Sequence, residues 1–457
     1  MKKKEISVRC SWAFPVIICL GMVLYSGSSQ AETYYVSPAG LASWPSCTSR
    51  NTPCSAATAM ANAIAGDTVY FRGGTYSHEA SPDREYPCLN PVNSGTAGHP
   101  ITFIAYPGET PVIASSHFEG GAFGSGHRSY ITWDGFAGTL NAFASGEPQL
   151  IGIWFSDHIT IKNCNLTGFL QIDHTNSSLI RVEQSSYVTI ENNRLHDMNG
   201  YVFGEPPYVE EPVNATGITM FYTSYVTIKN NDIYNNWTAI YDKDDGNHNV
   251  YYYNHIWGTG SGHQRCALGI QLKNQRNLVG DGSDRKLYQN VVRNCKTGVL
   301  LDNGLNFSNV MIYNNVFSGN GGSGDGIRHM KTPSATQVQI FNNVFYNYGS
   351  NFNFYDTLSF TFVDNNIFTD SSSDDWRLNW NTHYSVLSAW EAATAFDGNS
   401  YLENPHFAKP DGPNARDYRV NAAHKNNGRG GGYPSVIGAY VSGNEHIGYL
   451  PPSSHLR

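Results

Sequence analysis

Val188-Thr-Ile-Glu-Asn-Asn-Arg-Leu195 returns along the chain as Val226-Thr-Ile-Lys-Asn-Asn-Asp-Ile233, Val250-Tyr-Tyr-Tyr-Asn-His-Ile256, Val310-Met-Ile-Tyr-Asn-Asn-Val-Phe317, Val338-Gln-Ile-Phe-Asn-Asn-Val-Phe345 and Phe362-Val-Asp-Asn-Asn-Ile-Phe368. Aligned, the copies place asparagine at one repeated position: Asn193, Asn231, Asn254, Asn290, Asn315, Asn343 and Asn366, with Cys164 in an earlier copy. The steps run from 23 residues (Asn231 to Asn254) to 38 (Asn193 to Asn231). A period in that range, with strand-like alternation on both sides, indicates a solenoid in which each repeat is one coil. Asparagine suits the bend because it tolerates left-handed backbone angles and bonds to the local chain. Stacked coil on coil, the amides can also bond to one another in a ladder.

A second landmark precedes the asparagine in each copy: Gly152-Ile-Trp-Phe-Ser156, Leu179-Ile-Arg-Val-Glu183, Gly217-Ile-Thr-Met-Phe221, Ala239-Ile-Tyr-Asp-Lys243, Gly269-Ile-Gln-Leu-Lys273, Gly298-Val-Leu-Leu-Asp302 and Gly326-Ile-Arg-His-Met330. A short strand opens each coil and the asparagine bend follows the next strand. Together these segments resemble the right-handed parallel β-helix of the pectate lyase-like superfamily, all-β with three strands per coil, over most of the chain. That superfamily includes lyases, hydrolases, epimerases and non-catalytic proteins, so the resemblance implies a fold and leaves function to the site.

Lys2, Lys3, Lys4 and Arg9 precede the apolar run Trp12 to Tyr25, and Ser29-Gln30-Ala31 offers a small-x-small cleavage site. Residues 1–31 read as a secretory signal peptide, giving a secreted or periplasmic protein with no membrane attachment after cleavage. Six of the eight cysteines remain, so disulfides are allowed. Cys47 and Cys54 can close a small loop. Cys266 and Cys295 each lie three residues before a coil-opening glycine, which puts them on adjacent coils within bridging reach. The net charge of −8 falls to about −11 once four cations and Glu5 are cleaved away, which disfavours nucleic acid. Few charges with many aromatics and abundant Asn and Gly fit a surface that binds extracellular glycans, and a monomer is expected.

Tyr34-Tyr-Val-Ser-Pro-Ala-Gly40, an Ala-rich helical stretch from Pro53 to Ala65, and Gly66-Asp-Thr-Val-Tyr-Phe-Arg-Gly-Gly-Thr-Tyr76 resemble the opening of family 9 polysaccharide lyases. The helix is expected to cover the open apolar end of the solenoid. Residues 32–373 are assigned to the β-helix with its N-terminal cap, and residues 374–457 to a C-terminal segment capping the last coil.

Strand side chains alternate, so with the landmark isoleucine or valine inside, the residues one and three positions later face out. Arg181, Glu183, Tyr241, Lys243, Lys273, Asp302 and Arg328 then share one outward stripe, with Lys243 and Lys273 on adjacent coils about 4.8 Å apart. A like charge at that separation disfavours protonation, so one lysine is expected to serve as a base near neutral pH. Cleavage of a polyuronate by β-elimination requires neutralisation of the sugar carboxylate, a base for the neighbouring proton and an acid for the leaving oxygen. The superfamily resemblance implies Lys or Arg as base, here Lys243, Lys273 or Arg328, and calcium on the carboxylate. Asp242, Asp244 and Asp245 are hard oxygen ligands suited to Ca2+, and Asp242 breaks the apolar alternation. The run from Lys243 to Asn249-Val250 resembles the lysine segment of alginate-type and chondroitin-type lyases, although the upstream glutamate ligands of those enzymes are missing.

Two interruptions of the period, Gly200 to Pro212 and Gly258 to Cys266, would wall a groove beside this stripe. They bring Tyr201, Tyr208, His263 and Arg265 toward it, where Tyr222 and Tyr241 can stack on sugar rings. The expected partner is an acidic polysaccharide. A polygalacturonase-like hydrolase is the alternative, on Asp244-Asp245, Gly262-His263 and Arg328-His-Met-Lys331, with the Asn-Thr-Asp motif of that family missing. A non-catalytic glycan-binding β-helix is the third reading.

Overall fold

The computed structural model describes residues 31–78, 85–115, 120–140, 147–168, 177–198, 215–259, 266–273, 283–302, 308–319, 321, 324–330, 337–369 and 376–451. Among them the chain winds into a right-handed parallel β-helix of three long sheets with 12, 12 and 11 strands. The first sheet holds the strands before each asparagine (Thr189–Glu191, Thr227–Lys229, Val250–Tyr252), the second those after it (Arg194–His196, Asp232–Tyr234, His255–Trp257). The third holds the landmark strands, among them Ser178–Glu183, Thr216–Phe221, Thr238–Lys243, Leu268–Lys273, Thr297–Asp302 and Asp325–His329.

The strands are short because each coil turns three corners. They hold together because identical positions stack. Ile151, Ile180, Ile218, Ile240, Ile270, Val299, Ile327 and Phe352 are successive register partners, and none is more than 1% exposed. Such a column has no aqueous side, so truncation at any step opens a cavity worth about 2–5 kcal/mol.

The corner between the first and second sheets separates two properties that the sequence reading credits to one asparagine. The residue before the ladder position takes the left-handed conformation: Asn192, Asn230, Tyr253, Gln289, Asn314, Asn342 and Asn365 have φ between 52° and 58°. The ladder asparagine behind it turns inward. Asn193 donates from Nδ2 to Asn231 Oδ1 at 3.0 Å, and the relay runs through Asn254, Asn290, Asn315 and Asn343 to Asn366. Each Oδ1 also accepts a backbone N–H of the preceding coil, beginning with Cys164. The final donor, Asn366 Nδ2, meets the buried carboxylate of Asp397 at 3.0 Å.

The helix Ala56–Asn62, capped by Ser55 Oγ on Thr58 N–H, buries Ala56, Ala59 and Met60 in the core, as expected of an end cap. Cys47 is bonded to Cys54 and Cys266 to Cys295. The C-terminal segment departs from expectation. The coils continue past residue 374: Trp376–Leu378 joins the third sheet beside Phe352–Phe354, and Tyr401–Leu402 joins the second. The helix Leu387–Thr394 closes the end, with Trp390 packed on Phe352 and Phe354. The remainder then runs back along the asparagine corner as a strap. Asn365 bonds Asn427, Asn342 bonds Arg429 and Pro434, Asn314 bonds Gly438, Gln289 bonds Ala439, Asn230 bonds His446 and Asn192 bonds Leu450. Phe407, Tyr418, Ile437, Ala439 and Ile447 bury Val291, Val316, Val344 and Ile367 on the outside of the second sheet. A local cap would leave those valines in water.

Candidate functional site

At the asparagine corner the chain crosses between sheets in two residues, coil after coil. Connections into and out of the third sheet vary instead: three residues (235–237) or ten (258–267) lead in, and five (222–226) or twelve (274–285) lead out. Length variation on a rigid scaffold collects where function sits, so the outer face of the third sheet is the candidate site. The expected walls fall largely at residues 199–214 and 260–265, outside the described residues, and with them lie Tyr201, Tyr208, His263 and Arg265.

Two outward rows cross this face. One aligns Arg181, Thr219, Tyr241, Gln271, Leu300, Arg328, Asn353 and Arg377. The other aligns Trp154, Glu183, Phe221, Lys243, Lys273 and Asp302. Lys243 and Lys273 are direct register partners, as the repeat spacing requires. The pair is more than two bare cations, however. Lys273 Nζ lies 3.1 Å from Asp302 Oδ2, which also accepts from Gln271 Nε2 at 2.7 Å. Lys243 Nζ sits over the rings of Phe221 (5.1 Å) and Tyr241 (5.9 Å). Burial pushes the Tyr241 phenol well above its ordinary range, with the carboxylates of Asp302 and Asp244 adding to the shift. Tyr241 is therefore a neutral hydroxyl at any working pH. Tyr222 stands at the same edge, its N–H bonded to Asp244 C=O.

The two arginines of the stripe are not equivalent. Arg181 is closed: its guanidinium meets Glu147 at 2.6 Å and Glu183 at 2.7 Å, lies between the rings of Trp154 and Phe221, and its side chain is 3% exposed. Both partner oxygens would have to leave before a sugar carboxylate could bind, so Arg181 and Glu183 are better read as structural than as substrate ligands. Arg328 is 38% exposed, and its ion pair with Asp325 is long, at 4.0 Å. Its Nε makes no hydrogen bond among the described residues.

The acidic cluster is also rearranged. Asp242 faces into the coil, where it is fully buried against Arg285 at 2.8 Å, Asn249 at 3.1 Å and the Tyr251 hydroxyl. A carboxylate already satisfied by a buried guanidinium cannot reach an ion on the outer face, so Asp242 is removed from the expected calcium ligands. Asp244 and Asp245 both occupy left-handed turn positions (φ 57° and 58°) beyond the strand end, and Asp244 is 3% exposed. Among the described residues no group of three or more His, Cys, Asp or Glu is placed to hold a metal. The expected calcium site does not fit this geometry.

Asp325 was not anticipated. Its column reads Ser178, Thr216, Thr238, Leu268, Thr297, Asp325, Ser350, so a carboxylate replaces a small hydroxyl, a signal present in the sequence. Burial raises its pKa, opposed by Arg328 and by the hydrogen bond from Asn353 Nδ2 at 3.2 Å.

Residues 149–334 match the family model described as the right handed beta helix region. No curated protein matches the chain. Among solved structures, pectate lyase Pel9A is similar with a TM-score of 0.49 and 18% identity, over 91% of this chain and 97% of that one. The mannuronan C-5 epimerase AlgE4 A-module of Azotobacter vinelandii is similar with a TM-score of 0.41 and 14% identity, over 74% and 87%. An exopolygalacturonase from Thermotoga maritima has a TM-score of 0.38 and 9% identity, over 70% and 85%.

Proposed function

We propose that this β-helix is an extracellular polysaccharide-active enzyme, a polyuronate lyase working by β-elimination on the outer face of its third sheet. The observation that carries the reading is the register pairing of Lys243 with Lys273, beside Tyr241 and Phe221 and with Asp302 against one of the two. Elimination needs a base at the proton next to the sugar carboxylate, and adjacent lysines supply one that removes it and a second that offsets the enolate charge, the protonated base then giving that proton to the glycosidic oxygen as its bond to the sugar breaks and the double bond forms. Asp302 lies 3.1 Å from Lys273, and either lysine of the pair can serve as the base with the other as its partner. Arg328 and the tyrosines bind the chain along the sheet. No step is assigned to a metal.

Mature protein incubated with pectate, alginate, glycosaminoglycan and bacterial exopolysaccharide tests this. A rise in ultraviolet absorbance from unsaturated uronyl ends supports the lyase. New reducing ends without that absorbance would replace it with a hydrolase. Binding without either product would leave a glycan-binding β-helix.

A further inference from the structure

Aromatic rings on the outside of this protein fall into two kinds. Along the corner from the third sheet to the first, Tyr130, His158, Tyr187, Tyr225 and His248 stack on one another with centroids 4.4–4.8 Å apart. His158, Tyr187 and Tyr225 each have a stacked neighbour on both faces, although Tyr187 and Tyr225 are exposed. Trp380 is different. It sits at the tip of an antiparallel hairpin at the end of the third sheet, Trp376–Leu378 paired with Thr382–Tyr384, and is 39% exposed.

Its backbone is at φ 60°, following Asn379 at 53°. Consecutive left-handed residues in a tight hairpin call for Asn and Gly, and a bulky side chain there is strained. Most of the other left-handed aromatics, among them His158, Tyr187 and Tyr225, belong to repeating corners where the next coil holds them. Trp380 has no coil beyond it to hold it. A tryptophan kept in a glycine position, with more than a third of its surface in water, needs a reason outside packing.

Arg328 provides one. Its guanidinium lies over the Trp380 ring at 6.0 Å, within cation–π range, while Tyr355 meets the ring edge-on at 5.6 Å. Arg328 is also the stripe arginine whose carboxylate partner stands at 4.0 Å rather than in bonding contact. A flat apolar face beside an accessible guanidinium matches the two ends of a uronic acid residue, the C–H face of its ring and its carboxylate.

Resting on the lyase reading above, we propose that Trp380 and Arg328 form a subsite for one uronate unit of an acidic polysaccharide, with Arg328 two coils along the sheet from Lys273 and the hairpin of Trp380 four. The ring stacks on Trp380 and the carboxylate pairs with Arg328. The substrate chain then runs parallel to the helix axis, from the lysine pair toward the C-terminal end.

Affinity electrophoresis of the mature protein in gels containing polygalacturonate or alginate tests the subsite, with Trp380→Gly as the variant. Glycine relieves the left-handed strain, so the variant is expected to keep or raise its Tm while losing roughly tenfold in affinity. Arg328→Ala is expected to weaken binding comparably. A folded Trp380→Gly protein retarded as strongly as wild type would overturn the subsite and leave the lyase reading standing. Wild-type protein retarded by no acidic polymer would overturn both.

Discussion

Asp242 and Arg285 are ion-paired inside a coil, 2.8 Å from Oδ2 to Nε, with neither side chain exposed to water. The N–H is not directed along that contact, and Nη2 bonds the other carboxylate oxygen at 3.4 Å. Both residues interrupt apolar columns. Asp242 stands among Val182, Met220, Leu272 and Leu301, and Arg285 follows Asn249 in a column with Val226, Val310 and Val338. Gly246 is required beside them, since a Cβ there would lie 2.2 Å from Asp242 Oδ1. Removing one partner strands a buried charge, so Asp242→Leu is expected to cost about 3–5 kcal/mol. Asp242→Leu combined with Arg285→Val should recover most of that loss. Thermal unfolding of the two single variants and the double variant measures it, and a double variant no more stable than the worse single one would refute the pairing.

The asparagine ladder ends on a carboxylate, and this makes the end of the solenoid sensitive to pH. Burial raises the pKa of Asp397 to about 6, against hydrogen bonds from Ser400, Asn366 and Trp390. The folded form holds its proton more tightly than the unfolded chain does. The associated stability is therefore present in acid and lost as pH rises from about 4 through 6, a change of roughly 2–3 kcal/mol. Asp397→Asn should flatten the stability of the C-terminal coils across that window. Hydrogen exchange at Asn366 and Tyr401, followed from pH 4 to 8, should show the slope in wild type and its loss in the variant.

His329 titrates with the opposite sign. Fully buried between Leu301 and Phe354 in its column, with no hydrogen bond at either ring nitrogen among the described residues, it has its pKa pushed down to about 4 by burial. The unfolded chain takes up a proton that the folded one resists, so stability falls as pH drops from about 6.5 to 4. His329→Leu, matching its neighbour, should remove that acid sensitivity without cost at pH 7. An unchanged acid midpoint in the variant would count against it.

The strap is held by the outer asparagines. Asn342 donates to Arg429 and Pro434 carbonyls and accepts from Arg429 N–H at 2.6 Å, all at φ 58°. Asn342→Gly keeps the left-handed backbone and removes only these bonds, a loss of about 2–3 kcal/mol at roughly 1 kcal/mol each. Limited proteolysis between residues 427 and 438 should accelerate while the inner ladder through Asn343 stays protected. Equal cleavage rates would show that apolar contacts hold the strap without the asparagine.

The scaffold was legible because a solenoid writes its cross-section once per coil. The ladder, the landmark strands, the Cys266–Cys295 bridge and the Lys243–Lys273 adjacency follow from aligning the repeats. What alignment along one strand type could not give is which side chains meet across a coil. The polar break at Asp242 was visible, but its partner Arg285 lies on another sheet, so an inward ion pair read as an outward calcium ligand. Arg181 looked like a substrate ligand because Glu147, its second carboxylate, precedes the landmark strand. The strap was hidden because Asn-Asn appears to need only one explanation, and the first asparagine of each pair has a separate partner more than 60 residues away in sequence.

The central claim, that Lys243 and Lys273 perform the chemistry, is tested most directly by Lys243→Ala and Lys273→Ala on whichever acidic polysaccharide wild type cleaves. Initial rates of unsaturated product would be read beside affinity electrophoresis. The account predicts a fall of about 10²–10⁴ in rate for at least one of the two variants, and folded proteins that both still bind the polymer. Rates near wild type in both variants, with binding intact, would move the reaction away from this pair.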